Sequence, residues 1–306
     1  MSICSLPLQY LKTSSSTVQT LHPNCTLIWR QRKLIVRPRL NSDITLLPSL
    51  KRQDWLVECL QRSTVKLVKL DPALGEAHLK FWADACQQAG KPIYLRLRAV
   101  RDLPQKQCPR GWQLKRLFDW VAATGLLLLL SPLMLVLAGL IAITSPGPIF
   151  FYQWRVGERG KLFRIIKFRS MVVGAERLHH QVMTNQEGLH KLKDDPRVTP
   201  LGRVMRKYSL DELPQLFNVL RGEMSLVGPR PWALYDAVRI NPELQHRLNA
   251  VPGITGAWQV KARSHMLDLN LVNRHDLNYL SSWSIWCDFK FLLLTIPKVL
   301  SGFGAY

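Results

Sequence analysis

The sequence predicts an α/β fold class: a small N-terminal α/β domain, then an α+β domain that is monotopic, dipping into one membrane face through a re-entrant helix hairpin. Three features support this. Short β-rich runs alternate with a helical stretch over residues 25–102. Trp120–Ile143 is an apolar run of 24 residues with Ser131-Pro132 at its midpoint. Basic residues flank that run on both sides.

With 306 residues the chain can bury a substantial core. Its 42 Lys and Arg against 21 Asp and Glu give a net charge of +21, which attracts nucleic acid, an anionic membrane face or phosphorylated substrates. The excess is spread evenly, with 18 basic and 7 acidic groups in residues 1–110 and 24 and 14 beyond, so no detachable basic tail carries it. No helix-turn-helix, zinc or RNA-recognition signature accompanies the charge, and no nucleic-acid partner is expected. Six cysteines, at 4, 25, 59, 86, 108 and 287, lack Cys-x-x-Cys spacing and read as reduced thiols rather than a disulfide framework. Residues 1–24, with "TSSST" at 13–17, lack the apolar core of a signal peptide and are expected to be disordered in the cytoplasm.

Within 25–102, "TLIWRQRKLIVRP" reads as one or two strands and "TVKLVKL" (64–70) as another. Residues 72–89 read as a helix and "PIYLRLRAV" (92–100) as a closing strand. No glycine-rich phosphate loop follows these strands, so an accessory role is expected for this unit. Residues 103–113, with Pro, Gly and polar side chains, read as a linker to a second domain at 114–306.

The apolar run 120–143 would make a straight helix of about 36 Å, enough to cross a hydrocarbon core of about 30 Å. Pro132 removes a backbone hydrogen bond at its midpoint, and a bend is expected there. Ser131 is placed to satisfy a freed carbonyl where no water is at hand. Arg110, Lys115 and Arg116 precede the run; Arg155, Arg159, Lys161, Arg164, Lys167 and Arg169 follow it. The positive-inside tendency thus puts both ends on the cytoplasmic side, as in a re-entrant hairpin; a kinked spanning helix is the alternative.

Next, "PIFFYQW" and "KLFRIIKFRSM" flank "RVGERG" as a β-hairpin, with Phe163, Ile165, Lys167 and Arg169 alternating onto one face. Residues 203–221 and 231–250 read as helical, and "VPGITGAWQV" (251–260) as a loop leading into a strand. The apolar segment 279–300, with Trp283 and Trp286 near one end, suits a helix lying along the interface or an ordinary core helix.

Two adjacent acids stand in "SLDELPQL" (209–216). Pro214 is tolerated only in a first helical turn, so a helix should begin close to Asp211, whose carboxylate would face the positive end of the helix dipole and stay ionised. A capping box of Ser209 with Glu212 is the structural alternative. Chemistry gains from the surroundings. Arg203, Arg206, Lys207 and Arg221 lie within ten residues, and "GPRP" (228–231) presents Arg230 on a stiff loop. Arginine forks match phosphate oxygens, and Mg²⁺ is usually held by one or two carboxylates plus substrate phosphates. An aspartate can also attack phosphorus to give an acyl-phosphate.

The run "DDPRVTPLGRVMRKYSLDELPQLFNVLRGEMSLVGPRP" (194–231) resembles the bacterial sugar transferases, or monotopic phosphoglycosyl transferases, as do "KRLFD" (115–119), "SPGPIFFYQWRVGERGKLFRIIKFRSM" (145–171), "VPGITGAWQV" and the ending "GAY". The likeness covers about residues 112–306. It implies transfer of a sugar phosphate from a nucleoside diphosphate sugar, usually a UDP-sugar, to undecaprenyl phosphate at the cytoplasmic face of the inner (plasma) membrane, initiating exopolysaccharide or glycoconjugate synthesis. By that resemblance Asp211 is the nucleophile and Glu212 holds Mg²⁺ beside it or positions the phosphosugar. Arg230, Arg206, Lys167 and Arg169 contact phosphate, and Ser131-Pro132 breaks the membrane helix.

The chain departs from the family pattern in "GITGAWQV", where Trp usually precedes Ala, and at Ser170 of "KFRSM", where Thr is commoner. Many long members carry four further membrane helices and a Rossmann-like domain; here about 110 residues precede the shared part. That preface resembles cyanobacterial exopolysaccharide initiators, including those of the heterocyst envelope. A membrane-anchored scaffold without catalysis is opposed by the intact Asp-Glu pair and "GPRP". Self-association into a homo-oligomer is left open.

Overall fold

The computed structural model describes residues 25–38, 52–98, 103–176, 178, 195–241, 243–261 and 268–302. The expected disorder of residues 1–24 lies outside them. The N-terminal unit is a four-stranded sheet in sequential order: β1 (Cys25–Arg30), β2 (Lys33–Pro38), β3 (Leu67–Leu70) and β4 (Ile93–Leu95). β1 and β2 form an antiparallel hairpin that turns at Gln31, with φ of 54°, so "TLIWRQRKLIVRP" is two strands. β2, β3 and β4 run parallel, which demands long crossovers. These are α1 (Gln53–Arg62) and α2 (Glu76–Gln88). α1 is not evident in the sequence because it buries only Leu56 and Leu60, too thin a stripe to declare a period.

Within 103–113, expected to be a linker, residues 104–107 and 109–113 are helical. Leu103 is buried, α3 (Pro104–Gln107) follows it, and α4 (Pro109–Thr144) starts almost at once. Both prolines look like breakers in the sequence, yet both open helices, where a missing N–H costs nothing. The N-terminal sheet also shares its core with the rest of the chain: Val36, Val68, Leu79 and Trp82 belong to one cluster with Trp154, Trp232 and Val272. Asp84 of α2 tightens the junction, accepting from Trp154 Nε1 and Arg164 Nη2, both at 2.8 Å.

α4 runs 36 residues, continuous through Ser131-Pro132. Pro132 leaves the Leu128 carbonyl without its amide partner, and Ser131 Oγ donates to that carbonyl at 2.8 Å. Both ends of α4 are anchored. Near its start, buried Lys115 donates to Asp288 Oδ2 at 2.8 Å and to Ser225 Oγ at 2.7 Å, while Asp119 accepts from the Leu226 amide. Toward its end, Met134, Leu137 and Ile141 pack with Phe168 and Met205. Between these anchors Leu128, Leu129 and Leu135 are 73–75% exposed, an apolar surface without cover.

β5 (Phe150–Val156) and β6 (Leu162–Phe168) form the expected hairpin. The span 203–221 is not one helix but α5 (Pro200–Lys207) and α6 (Gln215–Leu220), separated at Ser209. β7 (Ser225–Val227) leads to the "GPRP" loop. Residues 231–250, expected to be a long helix, hold only α7 (Leu234–Ala237) and a short turn, Gln245–Asn249; prolines 231 and 242 interrupt the sequence. Within 251–260, expected to be a loop leading into a strand, β8 (Gly253–Thr255) comes early and α8 (Ala257–Lys261) follows it. β8 pairs parallel with β7, so closely that a Cβ on Gly253 would lie 2.1 Å from the Gly228 nitrogen.

The chain closes with α9 (Leu269–Ser281) and α10 (Ile285–Ser301). α10 buries Asp288 and Phe291 and exposes Trp286, Phe289, Leu293, Ile296 and Leu300, spaced at three and four residues along one face. This outward apolar stripe matches the interfacial expectation better than an ordinary core helix. Trp283 instead turns inward, edge-on to Trp112 with centroids 5.3 Å apart.

Candidate active site

Ser209 adopts the left-handed conformation (φ 55°, ψ 22°) and turns the chain out of α5. A single tight turn, Leu210–Glu212, follows, closed by Glu212 N donating to Ser209 O at 3.2 Å and Leu213 N to Leu210 O at 3.3 Å. Pro214 then caps α6. The capping-box alternative is set aside, because Ser209 makes no side-chain cap bond and the Glu212 carboxylate goes elsewhere. The helix-dipole argument also needs correction: α6 has only six residues, and Asp211 lies ahead of them.

Glu212 Oε1 accepts from Lys167 Nζ at 2.7 Å and from Arg230 Nη2 at 2.9 Å. Lys167 is aimed there by β6, which Asn218 of α6 holds: Ile166 N donates to Asn218 Oδ1 at 3.0 Å, and Asn218 Nδ2 donates to Arg164 O at 2.8 Å. Arg230 is aimed by its loop. Gly228 N donates to Thr255 O and Gly253 N to Pro229 O, both at 2.9 Å, while Arg247 Nη2 donates to Arg230 O at 2.8 Å. Arg247 is itself buried, ion-paired with Asp276 and stacked over Trp232.

The two carboxylates therefore differ in character. Burial alone would raise Glu212, but Arg230 and Lys167 outweigh it and hold the group well below the usual carboxylate range. For Asp211 burial wins over the attraction of Lys167, with Glu212 adding to it, and the carboxyl is pushed up. That is opposite to the sequence expectation of a dipole-stabilised anion. Asp211 is 7% exposed, and among the described residues its carboxylate forms no hydrogen bond or ion pair. It is thus the more basic of the pair and the one free to react.

Arg206 faces the same cleft and lowers Asp211 through its charge, with Nε donating to Ser170 Oγ at 2.9 Å. Ser170, expected to be a mild departure, thus orients a site residue. Arg169 also lines the cleft, with Nη1 and Nη2 donating to the carbonyls of Pro146 and Ser145 at 2.5 and 2.6 Å, which ties it to the end of α4. Arg155 is a cation that sequence reasoning counts only as a membrane flank; it lines the cleft, with Nη1 donating to Pro231 O at 3.1 Å. Its position beside "GPRP" could not be read without the β5–β6 register.

These groups line a cleft of about 1310 Å³ whose wall also includes Leu126, Leu130 and Leu133 of α4. Cations, carboxylates and apolar side chains thus line one space. Among the described residues no group of three or more His, Cys, Asp and Glu side chains forms a metal cage. Both cation contacts of Glu212 fall on Oε1, so Oε2 and the Asp211 carboxylate are the donors a divalent ion could share with substrate phosphates, which is the way Mg²⁺ is usually held. Among the described residues Cys25, Cys59, Cys86, Cys108 and Cys287 form no disulfide.

Residues 110–302 match the family described as Bacterial sugar transferase. The chain is 44% identical over 181 residues to the galactosyl transferase CpsE of Streptococcus agalactiae, covering 56% of this chain and 40% of that protein. It is 42% identical over 200 residues to the undecaprenyl-phosphate galactose phosphotransferase of Salmonella typhimurium, covering 63% and 42%. Against the exopolysaccharide production protein ExoY of Sinorhizobium fredii it is 38% identical over 207 residues, covering 65% of this chain and 90% of that protein. The chain thus spans about two fifths of the length of the first two relatives and nearly all of the third.

Proposed function

The chain belongs to the bacterial sugar transferase family, and we propose that it transfers a sugar phosphate from a UDP-sugar to undecaprenyl phosphate at the cytoplasmic face of the inner membrane. The observation that carries this reading is the cleft, whose lining holds an Asp211 carboxylate unpaired among the described residues, a cation-held Glu212 beside it, and leucines of α4. An anionic headgroup on an apolar tail suits both kinds of lining at once. The names of relatives agree, among them a UDP-glucose:undecaprenyl-phosphate glucose-1-phosphate transferase of Caulobacter vibrioides, 42% identical over 200 residues.

In this reading Asp211 attacks the sugar-bearing phosphorus through a carboxylate oxygen. The bond from that phosphorus to the bridging oxygen breaks, and its electron pair leaves on UMP. A phosphate oxygen of undecaprenyl phosphate then attacks the same phosphorus, breaks the acyl-phosphate bond and returns the carboxylate. Arg230, Lys167 and Arg206 meet the charge on the phosphoryl oxygens. A Mg²⁺ ion held by Asp211 and Glu212 would add neutralisation of that charge.

The membrane segment is read as a re-entrant hairpin. Support comes from the anchoring of both ends of α4 to one body, the hydroxyl that covers the Leu128 carbonyl, and the basic flanks.

The test is UMP release by detergent-solubilised protein given Mg²⁺, undecaprenyl phosphate and a panel of UDP-sugars. Wild type releases UMP with at least one donor, and Asp211→Asn loses about 10⁴-fold in rate. No release with any donor, or equal release by the variant, overturns the reading.

A further inference from the structure

One wall of the cleft comes from outside the shared family region, which begins at residue 110. Glu76, Ala77, Lys80 and Asp84 line it, at one helical face of α2, while Leu79, Trp82, Ala83 and Cys86 of the other face are buried in the core. Opposite stands α7 of the segment after "GPRP", carrying Tyr235 and Asp236. Asp236 is 5% exposed, lines the cleft, and its Oδ1 is buried with no hydrogen-bond partner among the described residues. A buried acceptor left unmet costs about 1–3 kcal/mol, so such an atom points to something that meets it.

Charge limits what that something is. Glu76 acts on Asp236 as a like charge, Arg155, Arg239 and Arg230 act on it as opposite charges, and Arg155 also interacts with Glu212. The unmet Oδ1 is an acceptor, and an ionised phosphate diester brings no donor to it. A neutral hydroxyl does.

We infer that the gap between α2 and α7 is the subsite for the transferred sugar, with Asp236 Oδ1 accepting from a ring hydroxyl and Glu76 beside it setting which sugars fit. This rests on the proposed function, since the sugar must hang from the phosphorus that Asp211 attacks. The N-terminal unit then contributes directly to substrate binding, because its helix α2 completes the donor pocket. The Asp84 clamp to Trp154 and Arg164 holds that wall in place before substrate arrives.

The test uses the full chain and two measurements. Binding of UDP-glucose, UDP-galactose and UDP alone is measured by titration calorimetry for wild type, Asp236→Asn and Glu76→Gln; UMP release is then measured against undecaprenyl phosphate concentration. Expected are a loss of tenfold or more in affinity for at least one UDP-sugar, a changed glucose-to-galactose ratio, unchanged affinity for UDP, and an unchanged KM for undecaprenyl phosphate. Equal weakening of UDP and UDP-sugars would put the ribose there and overturn the inference, as would unchanged affinities in both variants. Wild type that binds no UDP-sugar defeats the proposed function itself, a result separate from the two before it. Thermal melting of each variant shows that it is folded.

Discussion

Asp211 and Glu212 are neighbours in the chain yet are shifted in opposite directions: Lys167 and Arg230, both bonded to Glu212, hold its carboxyl down, whereas burial pushes that of Asp211 up. "SLDELPQL" revealed the pair, and "GPRP" revealed Arg230. What the octapeptide hid was the division of labour, which depends on β6 and the "GPRP" loop converging on a single oxygen. Arg169 shows the same limit from the other side. In sequence it is one more arginine near Lys167, but its guanidinium donates to two carbonyls at the end of α4. Asp236 was invisible, since nothing in "WALYDAV" signals that an acid will be buried. Burial pushes its carboxyl up to about 6; Arg155 of β5 opposes this, with Arg239 and Arg230, while Glu76 of α2 reinforces it. A raised acid penalises the folded state above its pKa and not below its unfolded value. Asp236→Asn is therefore expected to melt higher than wild type at pH 7, the gap closing as pH falls from about 6 toward 4. Melting curves across that range check it, and a variant that melts lower at pH 7 contradicts it.

Elements that announce themselves by strong periodicity were legible: the β5–β6 hairpin, β1–β3, α2 and the apolar stretch of α4. Those whose identity depends on tertiary partners were not. The thin stripe of α1, the proline-started helices at 104–144 and the left-handed break at Ser209 each look like something else locally. α4 is the element with most depending on it. Its first turns are fixed by Lys115 between Asp119, Asp288 and Ser225. The "KRLFD" motif thereby sets the position of β7, and through β7 that of the loop that carries Arg230. The hairpin reading predicts that single cysteines replacing Gln113 and Glu158, in a background with all six native cysteines replaced, label only from the cytoplasmic side. Labelling from opposite sides would make α4 a spanning helix.

At the scale of the molecule, the N-terminal sheet is fused to the family region through a common core and the Asp84 clamp, where the sequence predicts an accessory unit on a linker. That fusion was not legible in the sequence, because Trp154 and Trp232 carry no mark of which helix they will meet. In the proposed reading, the exposed apolar faces of α4 and α10 hold the charged cleft at a bilayer surface, where a lipid phosphate reaches it without leaving the membrane. The proposed chemistry stands or falls on Asp211 becoming covalently bound to the phosphosugar. That bond is detectable in protein incubated with Mg²⁺ and a UDP-sugar it accepts, but no undecaprenyl phosphate, then acid-quenched and weighed intact by mass spectrometry. The expected mass gain is one phosphosugar, mapped to the peptide holding Asp211, absent in Asp211→Asn and removed by adding undecaprenyl phosphate; an unmodified enzyme that still turns over when acceptor is supplied would refute the covalent route.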